Sequence, residues 1–86
     1  MSVVEVTYHG HSCFSVTVGD TQLLIDPFLS GNPQADVTAE EVEADYLLIS
    51  HGHGDHVGDA VEIAKRTGAM TISNFEIAGW LQEQGV

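Results

Sequence analysis

Apolar side chains recur at every second position through residues 3–8 and again through residues 13–18. Such alternation is typical of β-strands that bury one face. Residues 9–12 predict a short turn between these strands, and residues 21–26 predict a third strand after a second turn. The first third of the chain is therefore predicted to form an antiparallel meander.

The pattern changes in the second half, where a strand, a helix, a strand and a helix are predicted in turn. Residues 46–50 are almost continuously apolar, as in a strand that is buried on both faces. Helical spacing then runs from Val57 to a stop at Gly68. Residues 69–72 predict a further strand, and Ser73 is the predicted cap of the last helix. The fold class is α/β.

The segment between the two halves, residues 27–38, contains both prolines and is predicted to be a loop. Thr38 and Glu41 have the spacing of a capping box and predict a brief helical turn. Two single side chains are assigned to the core: the lone cysteine, Cys13, and Trp80 in the last helix. A single cysteine leaves no internal disulfide to form.

Composition limits the class of protein. The chain has 86 residues, of which 43% are hydrophobic, so it is neither disordered nor membranous. No apolar stretch approaches the roughly 18 residues of a membrane span, and the N-terminus lacks the basic start and apolar block of a secretory signal. We expect a cytoplasmic protein with no membrane contact.

Thirteen acidic residues against two basic ones give a net charge of −11. Such a surface repels phosphate backbones, so no nucleic-acid binding is expected through this segment. The acidic residues are scattered, which fits either an ordinary solvated surface or adaptation to high salt. Charge alone does not separate these alternatives.

The clearest chemical signal is the hexapeptide H-G-H-G-D-H at residues 51–56, directly after the apolar strand. Side chains two positions apart in extended backbone point the same way, and the two glycines allow tight turns. The C-terminal ends of such strands are where α/β proteins keep ligand sites. Imidazoles and a carboxylate are ligands for zinc, and they also suit manganese, iron or nickel. The candidate metal ligands are His51, His53, Asp55 and His56.

A purely structural explanation accounts for single members of this cluster only. Asp55 alone has the position of a helix cap, and one histidine at a strand end is usually a surface polar residue. Three imidazoles and a carboxylate within six residues have no packing rationale, because burying them without partners costs several kcal/mol. Metal binding is therefore the preferred interpretation.

The hexapeptide matches the H-x-H-x-D-H signature of the metallo-β-lactamase superfamily. Three longer stretches, Y-H-G-H-S-C-F, L-L-I-D-P-F-L-S-G-N-P and H-G-D-H-V-G-D-A-V-E-I-A-K-R-T-G-A, resemble its small prokaryotic metal-dependent hydrolases, akin to ascorbate-lactone hydrolases. The resemblance covers essentially the whole chain. It implies that residues 1–86 are the N-terminal part of one hydrolase domain, half of a four-layered αββα sandwich.

The resemblance also implies roles for single residues. His51 and His53 would bind a first metal ion, and Asp55 and His56 a second, with zinc the favoured metal and Asp55 also positioning the attacking water. Asp26 matches an aspartate that orients the ligands, although it also has the position of a strand-end turn residue. His11 would lie at the edge of the pocket, whereas His9 has no counterpart and is expected at the surface.

The remaining ligands of the family lie beyond the length of this chain, so the resemblance implies half of a site. The complete protein would use metal-activated water to hydrolyse a small-molecule lactone, another ester or a phosphodiester. The 86 residues alone are expected to be inactive, with a second copy or a C-terminal half as partner. Rival interpretations are a metal-binding chain without catalysis and an α/β module with a vestigial site.

Overall fold

The computed structural model describes residues 3–86, and all statements about structure refer to them. They form one five-stranded sheet in the order β1-β2-β3-β4-β5. The elements are β1 (Val4–Gly10), β2 (Cys13–Val18), β3 (Thr21–Ile25), β4 (Tyr46–Leu48), α1 (Gly54–Val57), α2 (Ala60–Thr67), β5 (Met70–Ile72) and α3 (Phe75–Glu83).

The first three strands are antiparallel neighbours, which confirms the predicted meander. Strand β4 then adds to β3 in parallel, and β5 adds to β4 in parallel. Both parallel pairs place their C-terminal ends at one edge of the sheet. Residues 51–56 follow β4 at that edge, so the sheet topology puts the hexapeptide where ligand sites of α/β proteins occur.

One face of the sheet is covered by residues 27–45 and the helices, and the hydrophobic core lies beneath them. Leu24 and Leu47 point into this core from neighbouring strands and are completely buried. Ile63 of α2 and Leu81 of α3 pack into the same cluster from the helices. Arg66 of α2 ties the long loop down, since its guanidinium donates to the carbonyl oxygens of Ala39 and Val42.

The other face of the sheet is open, and we call it the open face. Directly paired residues lie on the same side of a sheet, so the strand register identifies its members. None of them carries a charge, and each is exposed or only partly buried. The apolar members are Val4, Val6, Tyr8, Phe14, Val16, Val18, Leu23, Ile25, Tyr46, Leu48, Met70 and Ile72. The prediction that residues 46–50 are buried on both faces is therefore wrong.

Two predicted side-chain positions are also wrong. Trp80 was predicted in the core but is 43% exposed, because the adjoining turn of α3 buries Ile77 and Leu81 instead. His9 was predicted at the surface but is only 4% exposed, since β1 extends past it to Gly10 and its ring is held between Ser15 and Asp36.

The ends of the second-half elements differ from the prediction by a few residues. Helix α3 is capped by Asn74, whose side-chain oxygen accepts from the backbone N–H of Ile77, while the hydroxyl of Ser73 donates to the carbonyl of Ile49. Thr38 and Glu41 do form the predicted capping interaction, at a turn rather than a helix. Within residues 3–86, no helix combines the length and apolar character needed to cross a bilayer.

Cys13 is in the core as predicted, which leads to a test of the packing. Its side chain is 0% exposed, and burial together with the charge of Asp26 raises the pKa of the thiol to about 12. Because the thiolate is the reactive form, a chromogenic disulfide reagent should leave the folded chain unmodified at neutral pH. Modification should become rapid in urea. Equal rates for the folded and the urea-unfolded chain would contradict this packing.

Candidate metal centre

The histidines of the hexapeptide converge at the edge where β3 and β4 end. His51 follows the end of β4, and the single turn of α1 carries Asp55 and His56 back toward it. The His51 ring centroid lies 3.8 Å from that of His56 and 4.7 Å from that of His53. A helix was predicted to begin near Val57, but the helical turn begins at Gly54, so Asp55 and His56 are fixed by helical backbone.

Asp26 is the centre of the hydrogen-bond network around these rings. Its Oδ1 accepts from the backbone N–H of Ser50 at 2.7 Å, and its Oδ2 accepts from the Ser50 hydroxyl at 2.6 Å. The same Oδ2 lies 2.8 Å from Nδ1 of His56. Asp26 was predicted to belong to the third strand, but that strand ends at Ile25 and Asp26 has a positive φ of 47°. This backbone turn directs the carboxylate toward the histidines.

The network determines the protonation pattern of two rings. An ionised carboxylate only accepts, so Nδ1 of His56 must carry the proton that it donates to Asp26. The Ser50 hydroxyl has one proton, which it gives to Asp26, so its oxygen accepts from Nδ1 of His51 at 2.9 Å. In the neutral form of each ring, the lone pair is then on Nε2. A neutral imidazole with a free Nε2 is the form that binds metal.

The charge of Asp26 itself is maintained by the same contacts. Burial alone would raise the pKa of this carboxyl, since desolvation penalises the charged form. The hydrogen bonds from His56 and Ser50 outweigh burial and hold its pKa below the usual value. Asp26 is therefore a carboxylate at neutral pH, as the protonation pattern of the rings requires.

His11 approaches the centre from the turn between β1 and β2. Its Nε2 lies 3.0 Å from Oδ2 of Asp55, and one donor atom each of His11, Asp55 and His56 lie within 4.8 Å of one another. The backbone of His11 has a positive φ of 56°, and the Tyr8 hydroxyl donates to its carbonyl oxygen. All six predicted site residues thus lie at one edge of the sheet: His11, Asp26, His51, His53, Asp55 and His56.

Two residues of this arrangement were not identified from the sequence. Ser50 links Asp26 to His51, and its position directly before the hexapeptide was the available signal. Asp59 accepts from the backbone N–H groups of Leu29 and Ser30 and so holds the segment after Asp26 against the start of α2. Its partners lie about thirty positions away, which local sequence patterns do not reveal.

A cavity of about 400 Å³ lies beside the histidines. Its walls are mainly apolar and come from the hexapeptide loop and from α3. The lining residues are Gly52, Gly54, Val57, Glu76, Ile77 and Trp80.

Residues 5–84 match the family described as "Beta-lactamase superfamily domain". The chain belongs to this family. A UPF0173 metal-dependent hydrolase of Heliobacterium modesticaldum is 54% identical over 84 residues, which are 98% of this chain and 35% of the relative. Another, from Bacillus cereus, is 52% identical over 83 residues, covering 96% of this chain and 37% of the relative. The chain thus spans about a third of the length of the curated relatives it matches.

Solved structures agree with this family membership. Igni18, a metallo hydrolase of Ignicoccus hospitalis, superposes with a TM-score of 0.85 at 42% identity, covering 95% of this chain and 36% of that one. A chain from Parabacteroides distasonis gives a TM-score of 0.76 at 25% identity, with coverages of 94% and 36%. The fold is therefore the N-terminal part of a metallo-β-lactamase-type αββα sandwich, and the family is one of metal-dependent hydrolases, as the sequence predicted.

Gly58 keeps α1 against the segment after Asp26, and its replacement tests that contact. Its φ is +47°, and a Cβ at this position would lie 2.5 Å from the carbonyl oxygen of Pro27 and 2.6 Å from Cα of Phe28. Gly58→Ala should therefore destabilise the chain by more than the ~1 kcal/mol typical of a strained backbone conformation. Urea unfolding measures the difference.

Gly68→Ala is the matched control for this prediction. Gly68 also has a positive φ, +73°, but a Cβ there would meet nothing within 4 Å. The control therefore carries the backbone strain without the collision. Equal losses of stability in the two variants would show that the contact with Pro27 and Phe28 imposes no constraint.

Proposed function

We propose that this chain supplies one part of the dinuclear metal centre of a hydrolase that cleaves a lactone, another ester or a phosphodiester. The observation that carries the proposal is the set of contacts that Asp26 and Ser50 make with the Nδ1 atoms of His56 and His51. In the neutral form of both rings, these contacts leave the lone pair on Nε2, at the same edge of the sheet.

The donor set fits divalent metal ions. In this proposal His51 and His53 bind the first ion, and Asp55 and His56 bind the second. Imidazole nitrogen and carboxylate oxygen bind zinc at about 2.0–2.2 Å, so ligand atoms of one ion lie within about 4.5 Å of each other. Asp55 and His56, the proposed ligands of the second ion, belong with His11 to a cluster whose donor atoms lie within 4.8 Å of one another. Zinc is the favoured metal, and the same donors suit manganese, iron or nickel.

The chain's own residues would have distinct tasks in such a reaction. A bound divalent metal supplies acidification of water and polarisation of a carbonyl or phosphoryl oxygen. Asp55 has a half-exposed carboxylate, well placed to hold the attacking water by a hydrogen bond. His11, whose Nε2 lies 3.0 Å from Oδ2 of Asp55, would keep that carboxylate oriented. Asp26 and Ser50 hold the rings of His56 and His51 at fixed angles.

The complete centre needs further donors. A catalytic zinc ion generally has three protein ligands, whereas this chain offers two ligands to each ion. We propose that the other ligands come from the part of the domain that the relatives have in addition, in the same or a separate chain. The charge of −11 favours small neutral or cationic substrates over polyanions. The cytoplasm is the proposed compartment.

Removing two donors tests the metal assignment. His51→Ala combined with His53→Ala should abolish most zinc binding, because both ligands of one ion disappear and the other site loses its neighbour. Calorimetric titration with zinc and elemental analysis measure the change. Gln82→Ala with Gln84→Ala, at exposed positions in the last residues, is the control and should bind zinc like the parent chain. Equal zinc content in both double variants would refute the assignment.

The hydrolytic part of the proposal needs the rest of the domain. Replacing the matching third of the Heliobacterium modesticaldum relative by this chain gives a chimera of full length. It should hydrolyse members of a lactone, ester and phosphodiester panel that the parent relative cleaves, and chelation or His51→Ala should stop it. The chimera could also fold and bind metal but cleave none of the substrates of the parent relative. That result would contradict the hydrolytic part of the proposal and support metal binding alone.

Asp26→Asn tests the orienting carboxylate. The amide of asparagine has one acceptor atom and one donor atom, whereas Ser50 and His56 both need acceptors. The ring of His56, and that of His51 through Ser50, should therefore lose their fixed orientation. The affinity for zinc should fall about 10–100-fold while the circular dichroism spectrum stays the same. Asp20→Asn, in the exposed turn after β2, is the control. Unchanged zinc affinity in Asp26→Asn would show that Asp26 is only a turn residue.

A further inference from the structure

A second cluster of reactive side chains lies on the covered face of the sheet, apart from the candidate metal centre. His9 Nε2 lies 2.6 Å from the Ser15 hydroxyl oxygen, and His9 Nδ1 lies 2.6 Å from Oδ1 of Asp36. A hydroxyl, an imidazole and a carboxylate are thus connected in series. This is the connectivity of a nucleophile, a general base and the group that orients the base.

The hydrogen bonds fix the direction of proton transfer in this cluster. The hydrogen bond from His9 lowers the pKa of Asp36, so Asp36 is an ionised acceptor and Nδ1 of His9 carries the shared proton. In the neutral form of the ring, Nε2 then has the lone pair and accepts the hydroxyl proton of Ser15. The Ser15 oxygen therefore faces a base that is already oriented to deprotonate it.

The hydroxyl opens into a cavity of about 360 Å³. Ser15 is partly exposed, whereas the ring of His9 behind it is almost completely buried. Thr17 and Gln22 line the same cavity and supply a hydroxyl and an amide that can donate hydrogen bonds to a developing oxyanion. Glu41 and Glu43 are also in its wall, which disfavours anionic ligands.

We propose that Ser15, His9 and Asp36 form a metal-independent acyl-transfer site for small neutral or cationic carboxylic esters. In the first step the Ser15 oxygen bonds to the ester carbonyl carbon, and its proton passes to Nε2 of His9. The ester C–O bond then breaks, and the leaving alcohol takes that proton. Water next attacks the acyl-serine with His9 as base, which releases the carboxylic acid and restores the Ser15 hydroxyl.

This site does not depend on the proposed metal centre. His9 and His11 are close in sequence, but their side chains have different partners: His9 contacts Ser15 and Asp36, and His11 contacts Asp55. The cavity lies on the covered side of the sheet, away from the open face. The two activities can therefore fail or succeed separately.

The test uses p-nitrophenyl acetate as the ester, with the 86-residue chain in the presence of a chelator. Samples quenched with acid early in the reaction, before water releases the acyl group, should carry one added acetyl group by intact mass. Peptide mapping should place it on Ser15. Ser15→Ala should prevent the addition. Ser30→Ala removes an exposed serine and should leave the addition unchanged.

Asp36 is a positioning residue, and a variant of it tests whether the hydrogen-bonded chain from Ser15 through His9 to Asp36 supports acyl transfer. Its side chain is exposed, so Asp36→Asn should fold normally, as checked by circular dichroism. The rate constant of acylation at saturating ester should fall about 10²–10⁴-fold, because the orientation of His9 is lost. The half-saturating ester concentration should stay the same, since Asp36 lies behind His9.

Several outcomes would overturn the proposal. Acetylation of His9 itself or of the N-terminus, with Ser15 unmodified, would show that the hydroxyl is not a nucleophile. Equal acylation rates in Asp36→Asn and the parent chain would show that the hydrogen bonds have only a structural role. Acetylation of Ser15 that stops when the chelator is added would assign the chemistry to the metal centre instead.

Discussion

The carboxylate of Asp26 is the interaction on which the arrangement of the metal centre depends. It is buried, charged and shared by the end of β3, by Ser50 after β4 and by His56 of α1. Leaving a buried charge without partners costs several kcal/mol, so these three segments are held in one relative position. The positive φ of Asp26 is tolerated because the same hydrogen bonds stabilise it. Fold stability and ring orientation are therefore coupled through one side chain.

The sequence predicted those features whose causes are local. Alternation predicted the meander, and the strand, loop and helix around residues 51–56 placed the candidate ligands correctly at one edge of the sheet. The failures concern long-range partners. His9 is buried because Asp36, 27 positions away, completes its hydrogen bonds. Trp80 is half-exposed because the direction of α3 depends on packing against the sheet, which helical spacing alone does not specify.

The distribution of charge follows from the same architecture. The open face has no charged member, so all thirteen acidic residues lie at its rim, on the covered side or in loops. The chain therefore has one side of the sheet without charge, and its acidic residues lie elsewhere. The proposed acyl-transfer cavity lies on the covered side, with Asp36, Glu41 and Glu43 in its wall, whereas the candidate metal centre lies at an edge of the sheet.

The order of strands in the sheet is the order of strands in the chain. Each strand leaving the ribosome can therefore pair with the edge formed just before it, and no later segment has to insert between strands already joined. Domains begin to fold during synthesis, which proceeds at about 5–20 residues per second. Asp26 leaves the ribosome before Ser50 and His56, so the acceptor for both is already at the end of β3 when they emerge. The histidine loop can take its final shape as it is made.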